Sequence, residues 1–263
     1  MTSPMADFLK PDGFAGPRGL CALAQEASVV TEAARFLRRS RVGRRTPGEE
    51  PVLLVPGFMA GDATLAGMAW MLRGAGYRTY RSGIRVNVAC TRETADRLEG
   101  RLEEIAERRG RRVSIVGHSL GGMLARGLAA RRPDLVAGIV SMGSPILAPG
   151  AVHDLLVRDA DLLTRLTRAG VRGLMSEDCI GGECARASFE ETQAPLDPSV
   201  GFTAIYSKRD GIADWRACID PAAIPVEVGA SHVGMALDPL VFDVVRDALD
   251  GQQVAYAEDG ATA

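Results

Sequence analysis

The stretch RRVSIVGHSLGGMLARGLAARR, residues 111–132, decides the fold. Its first part, RVSIVG, is a short apolar run of strand length, and residues 120–131 carry apolar residues at helical spacing. Between them GHSLGG (117–122) sets Ser119 among glycines at a strand-to-helix junction. A Gly-x-Ser-x-Gly pattern alone is short and arises by chance. Flanked by a strand and a helix, it predicts a sharp, strained turn that lifts the Ser119 hydroxyl above the carboxyl ends of the strands. Bulky residues at Gly117 or Gly121 would collide with adjacent chain. The turn also sets the backbone N–H of Leu120 at a helix start, where the dipole favours developing negative charge. The competing reading is a glycine-rich turn with a serine capping the helix.

Outward from this stretch the chain alternates regularly. PVLLVPG (51–57), YRTYRSG (77–83), RVSIVG, LVAGIVSMGSP (135–145), VGFTAIYS (200–207) and IPVEVG (224–229) read as six strands. Helices are expected over DATLAGMAWMLRGAG (62–76), with Asp62 near its N-cap, and over TRETADRLEGRLEEIAERRG (91–110). In the latter Thr91 and Thr94 are candidate caps, and Leu98, Leu102 and Ile105 mark a buried stripe. DPLVFDVVRDALD (238–250) reads as a closing helix. Short apolar strands separated by helices predict an α/β fold: a mainly parallel sheet with helices on both faces.

The rhythm breaks once, at residues 147–195, where a helical pattern is followed by an irregular stretch containing cysteines and glycines. Long insertions of this kind are usually lids or binding loops. The expected organisation is therefore an N-terminal tail and peripheral helix over 1–50 and a main domain over 51–250 with a helical cap at 147–195. A flexible tail is expected at 251–263. Residues 1–19, rich in Pro and Gly, are expected to be poorly ordered, 20–37 to form the peripheral helix, and the basic stretch 38–50 to be a solvated linker.

The chain has 263 residues, 46% hydrophobic and 24% charged, with a net charge of −2 and a mean hydropathy near zero. That composition supplies a core and gives no electrostatic reason to expect nucleic acid or an anionic membrane as partner. No apolar run reaches the roughly 20 residues of a membrane span. The first twenty residues lack the apolar run of about 7–15 residues of a secretory signal. The expectation is a cytoplasmic protein; no oligomeric state is indicated. Five cysteines are an odd number, thinly spread. Separate reduced thiols are expected, the alternatives being a Cys179–Cys184 loop or a bridge from one of them to Cys218. Their spacing matches no common zinc pattern, so no metal is expected.

A reactive serine hydroxyl needs a base. Of three histidines, His118 adjoins the serine and would point away from its partner, and His153 sits in the insertion. His232, in VGASHVGM just after the last strand, stands where a loop can bring an imidazole over Ser119. The third group must be a carboxylate that fixes the imidazole tautomer. Asp210, in the turn of YSKRDG, is favoured over Asp214, which reads as a cap for WRAC, and over Asp238, which reads as the cap of the closing helix. The order Ser119, Asp210, His232 is one of the familiar triad orders. A second N–H beside that of Leu120 is expected from Phe58, after LLVPG, with Met59 as the neighbouring alternative.

Taken together, VPGF, GHSLGG, YSKRDG and SHVGM, in that order across about residues 51–250, resemble the α/β-hydrolase fold family of the lipase and esterase type. The resemblance implies a Ser119–His232–Asp210 triad, an oxyanion hole from Phe58 and Leu120, no metal or organic cofactor, and a cap at the place of residues 147–195. Pro56-Gly57 replaces the His-Gly common before the oxyanion residue. The antiparallel strands that often open the fold are not evident, so a shortened version is expected. The expected reaction is hydrolysis of a small-molecule carboxylic ester through an acyl-enzyme; the alternatives are an acyltransferase or thioesterase with the same triad, or a non-catalytic binding protein of this fold. A hydrophobic acyl chain would fit if some of Leu155, Leu156, Leu162, Leu163, Leu166, Met175, Phe58, Met59, Met68 and Trp70 face the site rather than pack the cap.

Overall fold

A computed structural model describes residues 5–39 and 50–260. Six strands, β1 (Pro51–Val55), β2 (Arg78–Arg81), β3 (Val113–His118), β4 (Val136–Met142), β5 (Gly201–Tyr206) and β6 (Ile224–Glu227), form one sheet. Their order is β2-β1-β3-β4-β5-β6, and every neighbouring pair is parallel. The α-helices are α1 (Gly19–Gln25), α2 (Val29–Arg38), α3 (Ala66–Gly74), α4 (Thr91–Arg109), α5 (Leu120–Arg131), α6 (Asp154–Arg168), α7 (Asp178–Gly181), α8 (Glu183–Gln193) and α9 (Pro239–Gly260).

Alternate residues of each strand face opposite layers, because side chains in a strand have period two. Val52, Leu54, Val116, Val140 and Ile205 pack with Met68, Leu72, Phe242 and Val245 of α3 and α9. Leu53, Val55, Ile115, Ile139 and Ala204 pack with Leu98, Leu102, Leu124 and Leu128 of α4 and α5. Each such Val, Leu, Ile, Phe or Met side chain contributes about 1.5–3 kcal/mol when fully buried, so both faces of the sheet are strongly held. From β1 the chain turns to β2 on one side and then crosses to β3 on the other. The carboxyl ends of β1 and β3 therefore flank the switch point at which open parallel sheets bind ligands.

Several local expectations are revised. Residues 5–19 are not loose: Ala6 N–H bonds to the Ile180 carbonyl and Gly150 N–H to that of Leu9, and Leu9 is buried. The helix expected at 20–37 is broken by a 3₁₀ turn at Glu26–Ser28. Of the expected linker 38–50, residues 40–49 lie outside the described residues. The helix expected from Asp62 begins as a 3₁₀ turn (Asp62–Leu65) next to its N-cap Gly61 and continues as α3; the Asp62 carboxylate caps neither but accepts from Ser82 N–H, Ser82 Oγ–H and Gly83 N–H, tying the turn after β2 to it. Neither Thr91 nor Thr94 caps α4, which begins after Cys90 without a side-chain cap. The irregular end of the insertion contains α8, packed on α5 and tied to Arg131 through Glu191. The closing helix runs past 251 to Gly260, and Gln252 Nε2 donates to the Ile139 carbonyl at 3.1 Å. No helix among the described residues is long and apolar enough to cross a membrane.

Candidate active site

Ser119 stands between β3 and α5 with φ +54° and ψ −122°, a backbone conformation that non-glycine residues rarely adopt. It is held there by packing. A Cβ on Gly121 would lie 2.1 Å from the Val55 carbonyl oxygen, and one on Gly117 would lie 2.5 Å from the Gly121 backbone. Both glycines are needed because chain passes chain, as the sequence indicated. Ser119 N–H bonds to the Met142 carbonyl at 2.8 Å, anchoring the turn to β4. Strain of this kind, about 1–3 kcal/mol, persists only where surroundings over-determine it.

The loop after β1 meets this turn: a Cβ at Gly57 would come 3.0 Å from Ser119 Cβ. Met59 N–H is engaged by the Asn87 carbonyl at 3.0 Å, whereas Phe58 N–H has no protein acceptor among the described residues. Leu120 is the first residue of α5, so its N–H lacks an intrahelical acceptor. Of the two donors considered in this loop, Phe58 is thus the free one. Asn87, which the sequence did not single out, braces the loop. It donates from Nδ2 to the Pro56 carbonyl at 2.9 Å and from its N–H to the Ala60 carbonyl at 2.8 Å.

Asp210 and His232 are brought together. Asp210 Oδ2 lies 2.7 Å from His232 Nδ1, and Oδ1 accepts from the N–H groups of Ile212 (2.8 Å) and Ala213 (2.7 Å). Those two bonds leave Oδ2 for the imidazole, so His232 carries its proton on Nδ1 and turns Nε2 away from the carboxylate. Gly143, with φ +57°, passes so close that a Cβ there would lie 3.0 Å from His232 Nδ1. Burial works against charge on His232, but the facing Asp210 carboxylate, with Glu26 behind it, outweighs this and lifts the imidazole pKa above its ordinary value. The Ser119 hydroxyl makes no hydrogen bond to His232 in this conformation; such contacts often tighten only when substrate is bound.

The other candidates have structural duties. Asp214 accepts Arg216 N–H as the cap of the WRAC turn (3.1 Å) and receives the Arg216 guanidinium and Ala15 N–H. Asp238 accepts Leu240 N–H at 2.9 Å and pairs with Arg35. His153 caps α6, its Nδ1 accepting Leu155 N–H at 3.1 Å. His118 is buried, and its Nε2 lies 2.8 Å from the His232 carbonyl. Burial, reinforced by neighbouring His232, pushes its pKa down to about 4, so near neutral pH it is uncharged and donates from Nε2 to that carbonyl.

Two carboxylates of the N-terminal helices hold the loops on which Asp210 and His232 sit. Glu26 Oε1 accepts Gly211 N–H (2.9 Å) and His232 N–H (3.1 Å), and Oε2 accepts Val233 N–H (2.9 Å). Glu32, 1% exposed, accepts Ser231 N–H and Ser231 Oγ–H, both at 2.8 Å, and Ser28 Oγ–H at 3.1 Å. Sequence reasoning treated this helix as peripheral. Nothing in its local pattern marked Glu26 or Glu32, because the groups they hold lie about 200 residues away.

Ser119, Phe58 and Leu120 open onto a cavity of about 150 Å³ walled on its far side by α6–α8. Leu156, Met175 and Phe58 line it. The other apolar residues considered for this role do not. Leu155, Leu162 and Leu166 are exposed, as are Met59 and Trp70, Leu163 packs among the inserted helices, and Met68 lies in the sheet core.

A family profile described as alpha/beta hydrolase fold matches residues 72–170, a span that contains Ser119 and Leu120 and ends before Asp210 and His232. A triacylglycerol lipase of Vibrio cholerae is 35% identical over 113 residues, covering 40% of this chain and 35% of the lipase. The alignment thus spans about a third of that relative's length. Among solved structures, the mature form of a Bacillus licheniformis lipase superposes with a TM-score of 0.60 at 15% identity, over 79% of this chain and 96% of that one. A monoacylglycerol lipase of Paleococcus ferrophilus gives a TM-score of 0.52 at 18% identity, over 81% and 96%. At these identities the superpositions speak for the fold. Together with the all-parallel sheet, its strand order and the helices on both faces, they establish that the chain has the α/β-hydrolase fold, in a shortened six-stranded form.

Proposed function

We propose that the protein hydrolyses carboxylic esters with hydrophobic acyl chains, using Ser119 as nucleophile, His232 as base and Asp210 as its partner. The observation that carries this reading is the Asp210–His232 pair, bonded at 2.7 Å, on the same end of the sheet as a serine held at positive φ. His232 Nε2 takes the proton from Ser119 Oγ as the oxygen attacks the ester carbonyl. The N–H groups of Phe58 and Leu120 receive the oxyanion, which needs donors already in place as charge develops. His232 then passes its proton to the departing alkoxide. Water, deprotonated by the same imidazole, releases the acid and frees Ser119. Asp210 stays ionised throughout and stabilises the imidazolium.

The hydrophobic acyl chain is inferred from the cavity that Ser119 opens into, which Leu156, Ala160, Met175, Ile180 and Phe189 line. Helices α6–α8 would serve as its cap. The lipases among the similar proteins support the same direction. A series of p-nitrophenyl esters tests it, with Ser119→Ala as the blank. The reading expects kcat/KM to rise from acetate to a medium-chain ester and Ser119→Ala to abolish turnover. A preference for acetate over octanoate would remove the hydrophobic-chain assignment, and undiminished turnover by Ser119→Ala would remove the serine mechanism.

A further inference from the structure

Three cysteines distant in sequence converge beside the cavity. Cys90 immediately precedes α4, Cys179 lies in α7, and Cys184 is the second residue of α8. Their Sγ atoms all lie within 4.8 Å of one another, with Cys90 and Cys184 3.4 Å apart. All three are free thiols, half-buried. We propose that Cys90, Cys179 and Cys184 form a three-thiolate site for zinc that fastens α7 and α8 to the start of α4.

Geometry, chemistry and position support the site. Thiolates about 2.3 Å from a tetrahedral zinc stand about 3.8 Å from each other, so sub-ångström shifts of these side chains suffice. Sulfur ligands favour zinc over magnesium or calcium, which prefer oxygen. Three protein ligands leave the fourth position of a tetrahedral zinc for an exogenous ligand such as water, and the Ser176 hydroxyl lies 3.5 Å from Cys179 Sγ. A disulfide would join two of the sulfurs and leave the third unused, whereas one cation engages all three. Cys90 and Cys184 approach to 3.4 Å, and all three remain separate thiols. A divalent cation supplies the charge that ionises them: each thiol gives up its proton as its sulfur binds, three protons for one zinc. The local spacing of Cys179, Cys184 and Cys218 hid this arrangement. Cys218 is buried elsewhere with its thiol toward the Asp214 carbonyl, and the third member, Cys90, lies 89 residues before Cys179.

The site borders the cavity, since Thr91, Cys179, Ala185 and Ser188 all line it, yet the proposal stands independently of the reaction at Ser119. The test uses the full chain, reduced, stripped with a chelator and titrated anaerobically with zinc and with cobalt(II). The proposal expects one zinc per chain, release of three protons, and thiolate-to-cobalt charge-transfer absorption. It also expects a zinc-dependent rise in the thermal midpoint. Cys90→Ser and Cys184→Ser should each weaken zinc binding by more than about 100-fold, while Cys21→Ser and Cys218→Ser keep it. The cobalt spectrum of the unmutated protein gives a reading that does not depend on how well a variant folds. No stoichiometric uptake by the reduced protein, uptake unchanged in Cys90→Ser, or a cobalt spectrum without thiolate absorption would each overturn it.

Discussion

Ser119 and His232 are held by contrasting means. The turn at Ser119 is set by its own neighbourhood, with Gly117 and Gly121 admitting chain against chain and Met142 anchoring its N–H. The loop of His232 is set from far away: Glu26 and Glu32, about 200 positions earlier, accept its backbone N–H groups. Glu26 also holds the Asp210 loop through Gly211. One half of the site is thus made by local sequence, and the other is clamped by an N-terminal segment that packs onto it. The contrast implies that the Ser119 side fails by steric collision, whereas the His232 side fails by loss of buried hydrogen bonds.

The largest effect is expected at the join between His232 and Asp210. Asp210→Asn should lower kcat by about 10³–10⁴-fold, because the amide no longer enforces the tautomer that leaves Nε2 free to accept a proton. It should also move the acidic limb of the kcat/KM profile to lower pH, since Asp210 is what raises His232. The acidic limb follows the pKa of the base in the free enzyme, and loss of the charge that favours the imidazolium lowers it; folding stability is linked to the same shift. A raised pKa in the folded state gives stability that is present in full below the unfolded value, about 6.5, and lost as pH rises through the folded one. An unchanged limb in Asp210→Asn would show that another charge sets His232.

A smaller loss is expected when the clamp is released. Glu32→Ala leaves the N–H and hydroxyl of Ser231 without their buried acceptor, at a cost of about 1–3 kcal/mol per unsatisfied group. The His232 loop should loosen, lowering kcat by about 10–100-fold with little change in KM. Glu32→Gln, which keeps an acceptor oxygen, should recover part of both. Denaturant unfolding and steady-state kinetics on the two variants measure this; equal losses in kcat for Gln and Ala would contradict a positioning role.

The smallest effect concerns acid stability. His118 is held near pKa 4 in the folded chain, so the unfolded chain binds a proton that the folded one does not between about pH 6.5 and 4. Stability should fall through that window by an amount on the order of 3 kcal/mol. His118→Gln should flatten the fall, as followed by urea midpoints at pH 7, 5.5 and 4.5. An unflattened curve would place the acid sensitivity elsewhere.

The same contrast explains what was legible. Six strands, the helices between them and the Ser119 turn follow from periodicity, glycine placement and strand-to-helix spacing, all read within short windows. Phe58 over Met59 depended on Asn87 engaging the Met59 N–H, a contact across 28 residues. Asp210 over Asp214 was suggested by proximity to the strand end, and its Oδ2 lies 2.7 Å from His232 Nδ1. Glu26, Glu32, Asn87 and the grouping of Cys90 with Cys179 and Cys184 were not legible, because each acts on chain far away in sequence. Helix α8 was missed because Cys184, Ser188 and the Gly181-Gly182 pair just before it weaken the local pattern, while its stability comes from packing on α5.

Labelling of the intact protein with a fluorophosphonate, followed by peptide mass analysis, tests the role of Ser119 most directly. One adduct per chain is expected, on Ser119, forming much more slowly in Asp210→Asn and His232→Ala. No adduct under conditions where the protein is folded, or an adduct on another residue that survives Ser119→Ala, would contradict that role.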